Sequence, residues 1–350
     1  MILQRKKPIL KARKTKIIAT IGPATKTEEK IKTLIAEGVD IARFNFSHGS
    51  HPEYSRWTKI IRKWSKRYGR KVEILGDLQG PRFRVGNLPK EGRHLIPGRK
   101  IVVWFEEKSH LGRNELTILG QEGDDVELKA GDPILLDNGA VELEVLNDKS
   151  TRTECRVVTG GHIIAHKGVN LPSVKLDNAF TDKDGEDLQY ILEQKLDLVG
   201  LSFVSSQEDV TKVKDIIAGR ARTVAKIERQ LALENLGEII KNVDMIMVAR
   251  GDLGIETPLA RLPLVQKKII HQCNRAKKPV ITATQMLSSM AFQPKPTRAE
   301  VSDVANAILD GADAVMLSEE TAMGLYPVET VRMMRTIVEV TESFIRHFGR

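Results

Sequence analysis

Along the chain, short blocks of Val, Ile, Leu, Ala and Met alternate with longer blocks whose apolar residues recur every three to four positions. Eight short blocks predict strands: 16–22 (KIIATIG), 39–47 (VDIARFNFS), 71–80 (KVEILGDLQG), 197–204 (DLVGLSFV), 222–228 (RTVAKIE), 245–252 (MIMVARGD), 279–286 (PVITATQM) and 312–321 (ADAVMLSEET). Their apolar runs are nearly continuous, as in parallel strands buried on both faces. A helical block follows almost every one. The S/T-x-x-E pattern of a capping box places helix starts at Thr25–Glu28, Ser205–Glu208 and Thr297–Glu300. Gly38, Gly219 and Gly311 stand where helices should stop.

The alternation breaks after the third strand. Residues 81–166 instead hold short alternating runs separated by Gly, Pro, Asn and Asp, with Asn138-Gly139 as a hairpin signal. They predict a small all-β lid inserted in a βα loop, with the helix owed to strand three resuming near Thr181. The insert has 86 residues and leaves 264 for the rest, against the roughly 250 that a (β/α)₈ TIM barrel needs. The expected architecture is therefore α/β: a barrel from 1–80 and 167–350, with a β-barrel lid at 81–166. An open doubly wound sheet is the rival, but no G-x-G-x-x-G or G-x-x-x-x-G-K-[ST] loop occurs.

Composition narrows the function. No apolar run is long enough to span a membrane, and no signal-peptide pattern occurs. Cys155 and Cys273 are too few for a disulfide framework and suit a reducing cytoplasm. The net charge of +9 is concentrated in the first 16 residues, which lack acids. That stretch reads as a loose basic terminus rather than a nucleic-acid or membrane tail. His51, His94 and the histidines that follow them show no metal-ligand spacing.

In such a barrel the chemistry sits at the carboxyl ends of the strands. Lys226 and Glu228, two apart, project from one face of strand five. Alone they read equally well as a structural ion pair. Asp252 on the next strand places a second carboxylate within reach of the same hard cation, Mg²⁺ or Mn²⁺. Lys226 beside that ion suits stabilisation of a transferring phosphoryl group. Gly251 permits close backbone approach, with N–H groups of the following turn available to a phosphate. Arg43 holds phosphate from the opposite side, and Arg84 meets nucleotide phosphates when the lid closes. Thr284 orients a water or proton donor, though a lone threonine is more often a cap.

These residues lie in stretches that resemble pyruvate kinase motifs in family order: KIIATIGPAT, ARFNFSHG, GDLQGPRFRVG, KGVNLP, AKIE, ARGDLG, ATQMLSSM and PTRAEVSDVANAILDGADAVMLSEETA, from about Lys16 to about Glu339. The resemblance implies a barrel A domain, a lid B domain and phosphoryl transfer from phosphoenolpyruvate to ADP. It implies that Lys226 stabilises the phosphoryl group, that Glu228 and Asp252 hold the divalent metal, and that Thr284 serves protonation at the enolpyruvate methylene. Arg43, Asn45, His48, Arg84 and Lys167 match positions facing ADP or the transferring phosphate.

Two departures stand out. The family's D-T-K-G-P-E reads Asp77-Leu78-Gln79-Gly80-Pro81-Arg82. The family K⁺ site uses residues matching Asn45, Ser47, Asp77 and a threonine where Leu78 stands. The leucine side chain offers no oxygen, so Arg82 is expected to supply the missing charge and K⁺ is not expected to be required. The chain also stops at Arg350, where family members usually continue into an effector-binding domain. This predicts no effector control of the usual kind and a homo-oligomer smaller than a tetramer. Two rival readings are a metal-dependent aldolase or lyase acting on pyruvate or phosphoenolpyruvate, and a non-catalytic barrel that binds RNA.

Overall fold

The computed structural model describes residues 13–120, 126–147, 152–174 and 180–349. Of the loose start expected over the first 16 residues, 1–12 lie outside them, whereas Arg13 pairs with Asp40 and Lys16 opens the first strand. Eight parallel strands close into a barrel: Lys16–Thr20, Ile41–Asn45, Glu73–Asp77, Leu198–Leu201, Arg222–Ile227, Met245–Ala249, Val280–Ala283 and Ala314–Leu317. The last pairs with the first, Ile17 opposite Val315. Helices or helix pairs follow each strand, from Glu28–Glu37 to Pro327–Phe348.

The two-residue strand period sorts side chains into inner and outer sets. Outward Ile17, Phe44, Ile74, Ala225 and Val248 pack with the helices in the larger core. Inward Ile18, Ile41, Leu75, Leu198, Val224 and Met247 fill the barrel as a separate cluster. The same inward columns end in charge at both mouths. Strand three runs Glu73, Leu75, Asp77, and strand five runs Arg222, Val224, Lys226. Each crosses from a charged base through an apolar plug to a polar upper face.

Helix starts differ in detail from the spacing rule. Thr297 and Glu300 form the expected capping box. The first helix is instead capped by Thr27, while the Thr25 hydroxyl donates to Thr321 O across the barrel closure. The fourth is capped by Ser206 with Asp209, one residue beyond the expected pair. Gly38 and Gly311 adopt left-handed caps, but Ala218 takes that role beside Gly219.

The insert forms a second closed barrel with its own core around Val103, Leu116, Ile134, Leu136 and Leu143. The hairpin at Asn138 is present, with left-handed Asp137, Asn138 and Gly139 between Leu136 and Val141. Strand Gly168–Asn170 pairs with Phe83–Val85 and Pro133–Leu136. The lid therefore runs past the expected boundary at 166, because its closing strand follows the last obvious turn. Among the described residues, no helix is long and apolar enough to cross a membrane.

Candidate active site

The polar upper layer converges on Lys226. Its Nζ lies 2.9 Å from Glu228 Oε1 and 3.3 Å from Asp77 Oδ1, and donates to Ser202 Oγ at 2.7 Å. Burial alone would lower its pKa, but Asp77 and Glu228 hold it above the ordinary lysine value. The side chain is therefore a fixed ammonium. Asp77, fully buried, accepts from Arg43 Nε at 2.7 Å, and Arg43 Nη1 donates to Thr20 Oγ1 at 3.1 Å. Burial would raise the Asp77 carboxyl, whereas Lys226 and Arg43 keep it below the usual range. Space for this carboxylate comes from Gly200 on the adjoining strand. A Cβ there would stand 2.7 Å from Asp77 Oδ1.

Glu228 Oε2 accepts the Phe203 N–H at 2.7 Å. Burial pushes its carboxyl up to about 7; Lys226 opposes the rise and Asp252 adds to it. The buried Glu228 thus carries the added repulsion of the partly exposed Asp252, and shares one ammonium with Asp77. Such a place gains from a further cation, and hard oxygen donors fit Mg²⁺ or Mn²⁺. Among the described residues no cluster of three or more His, Cys, Asp or Glu forms a metal site. A cation held by Glu228 and Asp252 would need further oxygen donors beyond these two carboxylates.

Asp252 sits on the short helix Arg250–Glu256 rather than on the sixth strand, which ends at Ala249. Its Oδ1 lies 3.6 Å from Arg82 Nη2. This corrects the expected place of Arg82. The guanidinium pairs with the second metal-ligand candidate instead of standing beside Asp77 as a substitute for K⁺. Leu78 is buried in the outer core, and its carbonyl accepts from Ser202 Oγ at 2.7 Å. Asn45 Oδ1 accepts from Ser47 N at 3.2 Å within the loop after strand two.

Thr284 follows the seventh strand with φ +69, and Gln285 with φ +53. A β-branched residue there is strained, and such strain gathers at functional sites. Arg250 holds the turn: Nη2 donates to Thr284 O at 2.5 Å, while Nη1 pairs with Asp303 at 2.6 Å. Thr284 Oγ1 donates to Ala283 O and accepts the Gly251 N–H at 2.8 Å. The Gly251 N–H is therefore taken by Thr284, so the phosphate contact expected here would fall to the N–H groups of the turn after it. In the sequence, Arg250 and Ser202 stand only as polar residues at the ends of strand-forming blocks. No spacing rule signals that one clamps a turn and the other seats an ammonium.

The nucleotide-side candidates lie on the lid and on one loop. Arg84 Nη1 donates to His166 O at 3.1 Å, and Lys167 Nζ pairs with Asp137 Oδ1 at 2.9 Å. His48 is exposed after strand two. The structure brings Lys226, Glu228, Asp77 and Arg43 into direct contact and leaves Arg84, Lys167 and His48 outside that network.

A family model for the pyruvate kinase barrel domain matches residues 12–331. The pyruvate kinase of Thermococcus litoralis is 46% identical over 345 residues, covering 97% of this chain and 72% of that protein. The pyruvate kinase of Staphylococcus aureus (strain USA300) is 43% identical over 337 residues, covering 95% of this chain and 57% of its own length. The chain thus spans between about half and three quarters of the relatives it matches.

Proposed function

Because this chain belongs to the pyruvate kinase family, we propose that it moves the phosphoryl group of phosphoenolpyruvate to ADP, giving pyruvate and ATP. The observation that carries this reading is the buried ammonium of Lys226, held by Glu228, Asp77 and Ser202 at the upper mouth of the barrel. A phosphoryl group in flight spreads negative charge over its oxygens, and a preorganised cation lowers its energy most at that moment. Arg43, braced by Asp77 and Thr20, offers a second fixed cation for the phosphate. Glu228 and Asp252 would hold Mg²⁺ or Mn²⁺, which neutralises phosphate charge when bound. Thr284 stands with its hydroxyl fixed between Gly251 and Ala283, a rigid position from which to orient the proton donor for the enol carbon. Arg84, on the lid strand Phe83–Val85, and Lys167, just before the strand Gly168–Asn170, would meet ADP when the lid closes, together with Asn45 and His48. Lid closure excludes water that would otherwise take the phosphoryl group.

Under this reading the chain works in glycolysis in the cytoplasm, forms a homo-oligomer, and does not need K⁺, an expectation that now rests on Leu78, which offers no side-chain oxygen, rather than on Arg82. The exposed Leu259, Leu264 and Phe292 supply apolar surface for self-association, which light scattering measures. The deciding experiment is a coupled pyruvate assay with phosphoenolpyruvate, ADP and Mg²⁺. Pyruvate release that depends on ADP supports the kinase. Turnover indifferent to ADP supports a lyase, and salt-sensitive RNA binding without turnover supports a non-catalytic barrel.

A further inference from the structure

Arg229 is a cation that the mechanism above does not use, and it is almost completely buried. Its side chain is 4% exposed and that of its partner Glu256 is 2% exposed, with Nε 3.7 Å from Glu256 Oε1. Arg229 Nη2 also donates to Leu171 O at 2.9 Å and to Val174 O at 2.6 Å, while Nη1 reaches Ser205 Oγ at 3.4 Å. Leu171 and Val174 belong to the lid's own core and lie just past its closing strand. The Asn170 side chain hydrogen-bonds Glu256 as well, and Glu256 Oε2 accepts the Gln230 N–H at 3.0 Å. Burying two charges this deeply is expensive unless each is held by the other and by further hydrogen bonds. This guanidinium uses two of its bonds on the carbonyls of the strap that returns from the lid.

The chain positions of the pair tie it to the metal site. Arg229 follows Glu228 directly, and Glu256 lies one turn after Asp252 on the same short helix. The pair therefore bridges the two segments that carry the candidate metal ligands. The lid's other link also reaches this place, because Arg82 pairs with Asp252. Between the two links lies a cavity of about 20 Å³, lined by Pro81, Phe83, Val169 and Phe203 with Arg229 and Glu256.

We propose that Arg229 and Glu256 are positioning residues: a buried clamp that fastens the lid strap at Leu171–Val174 to the segments bearing Glu228 and Asp252, so that lid seating and metal-ligand spacing change together. Neither residue touches substrate. The inference rests on the reading of Glu228 and Asp252 as metal ligands, so its test uses readouts that need no turnover.

The variants are Arg229→Lys, which keeps charge but loses the planar fork, and Glu256→Gln, which keeps shape but loses charge. If one does not fold, the other serves. Hydrogen exchange of the 168–174 amides and binding of Mn²⁺ followed by electron paramagnetic resonance are measured on the full chain. The expected result is about tenfold faster exchange in that strap, with Mn²⁺ bound several-fold more weakly and the Pro327–Phe348 helix unchanged. Unchanged exchange at 168–174 overturns the proposal. So does an equal rise across the whole barrel, which marks a merely structural pair, or a local rise with Mn²⁺ affinity unaltered. Should the wild-type chain bind no Mn²⁺, the metal reading fails, while the exchange data still decide whether the clamp exists.

Discussion

Replacing Lys226 with Met removes one charge and keeps nearly the same length, so it isolates the electrostatic part of catalysis. The ammonium is 12% exposed and lies about 3 Å from two carboxylate oxygens, which places it in a medium far less screening than water. At an effective dielectric of about 20, a unit charge 4 Å from another is worth roughly 4 kcal/mol. That energy corresponds to about a thousandfold in rate if it acts only on the transition state. Loss of single preorganised donors elsewhere gives a similar range, ~10²–10³. The fold should survive, because Asp77 keeps Arg43 at 2.7 Å and Glu228 keeps the Phe203 amide. Some stability is lost, since each acid gives up a buried partner. The assay is the coupled pyruvate reaction at saturating phosphoenolpyruvate and ADP, with circular dichroism to confirm folding. We expect kcat to fall about a thousandfold with KM for phosphoenolpyruvate shifted less than about tenfold, because Arg43 still binds the ground-state phosphate. A folded Lys226→Met protein that retains a tenth of wild-type kcat, or loses activity only through KM, would refute the assignment.

Thr284→Val keeps the shape but leaves the Gly251 N–H without its acceptor, and kcat should drop about a hundredfold. Thr284→Ser keeps the hydroxyl and should stay within about tenfold; equal losses in both variants contradict a hydroxyl role. At the barrel base, burial alone would raise Glu73, but hydrogen bonds from Lys71 and Lys16, with Arg222 nearby, bring its pKa down to about 2. A depressed acid stabilises the fold above its unfolded pKa near 4.5, and that stability is lost as pH falls toward 2. The shift corresponds to roughly 3 kcal/mol before screening, and partners that are 45–79% exposed cut it to about half. Urea unfolding should therefore show Glu73→Gln weaker than wild type by about 1.5 kcal/mol at pH 7, the gap closing between pH 5 and pH 2; a constant gap points to packing instead. Full activity is expected in buffers free of monovalent cations, because Leu78 offers no side-chain oxygen to K⁺. A strict K⁺ requirement in the same assay defeats that expectation.

Much of this arrangement was legible because strands fix the direction of their side chains. Once Val224 is placed inside the barrel, Lys226 must follow on the same face one layer higher, and Glu73, Leu75 and Asp77 form a matching column. The convergence of Lys226 with Glu228, one residue past the strand's end at Ile227, follows from that rule. Helix caps were legible only to within a residue or two. Ser205-Ser206 followed by Glu208-Asp209 satisfies the capping pattern in two registers, and tertiary contact chose the second. Thr25 matched the pattern but is buried in a loop, bonded to Thr321 at the barrel closure.

The arginines were harder for a physical reason. Arg82 and Arg250 have long side chains and sit beyond the strand ends, where backbone direction no longer dictates their partners. A guanidinium at position 82 has two acids to choose from, Asp77 and Asp252. Asp77 already has Arg43 at 2.7 Å and Lys226 at 3.3 Å, whereas Asp252 is 26% exposed and pairs with Arg82 at 3.6 Å. Electrostatics therefore favours the acid with fewer neighbours, and Arg82 goes there. Arg250 is likewise drawn to Asp303 and to the carbonyl of a turn that Thr284 could not hold alone. Both choices follow from which charges are already satisfied, a quantity that exists only after the barrel has closed. Spacing along the chain can thus identify the inward-facing acids and the lysine, while the partners of the flexible cations depend on the assembled field.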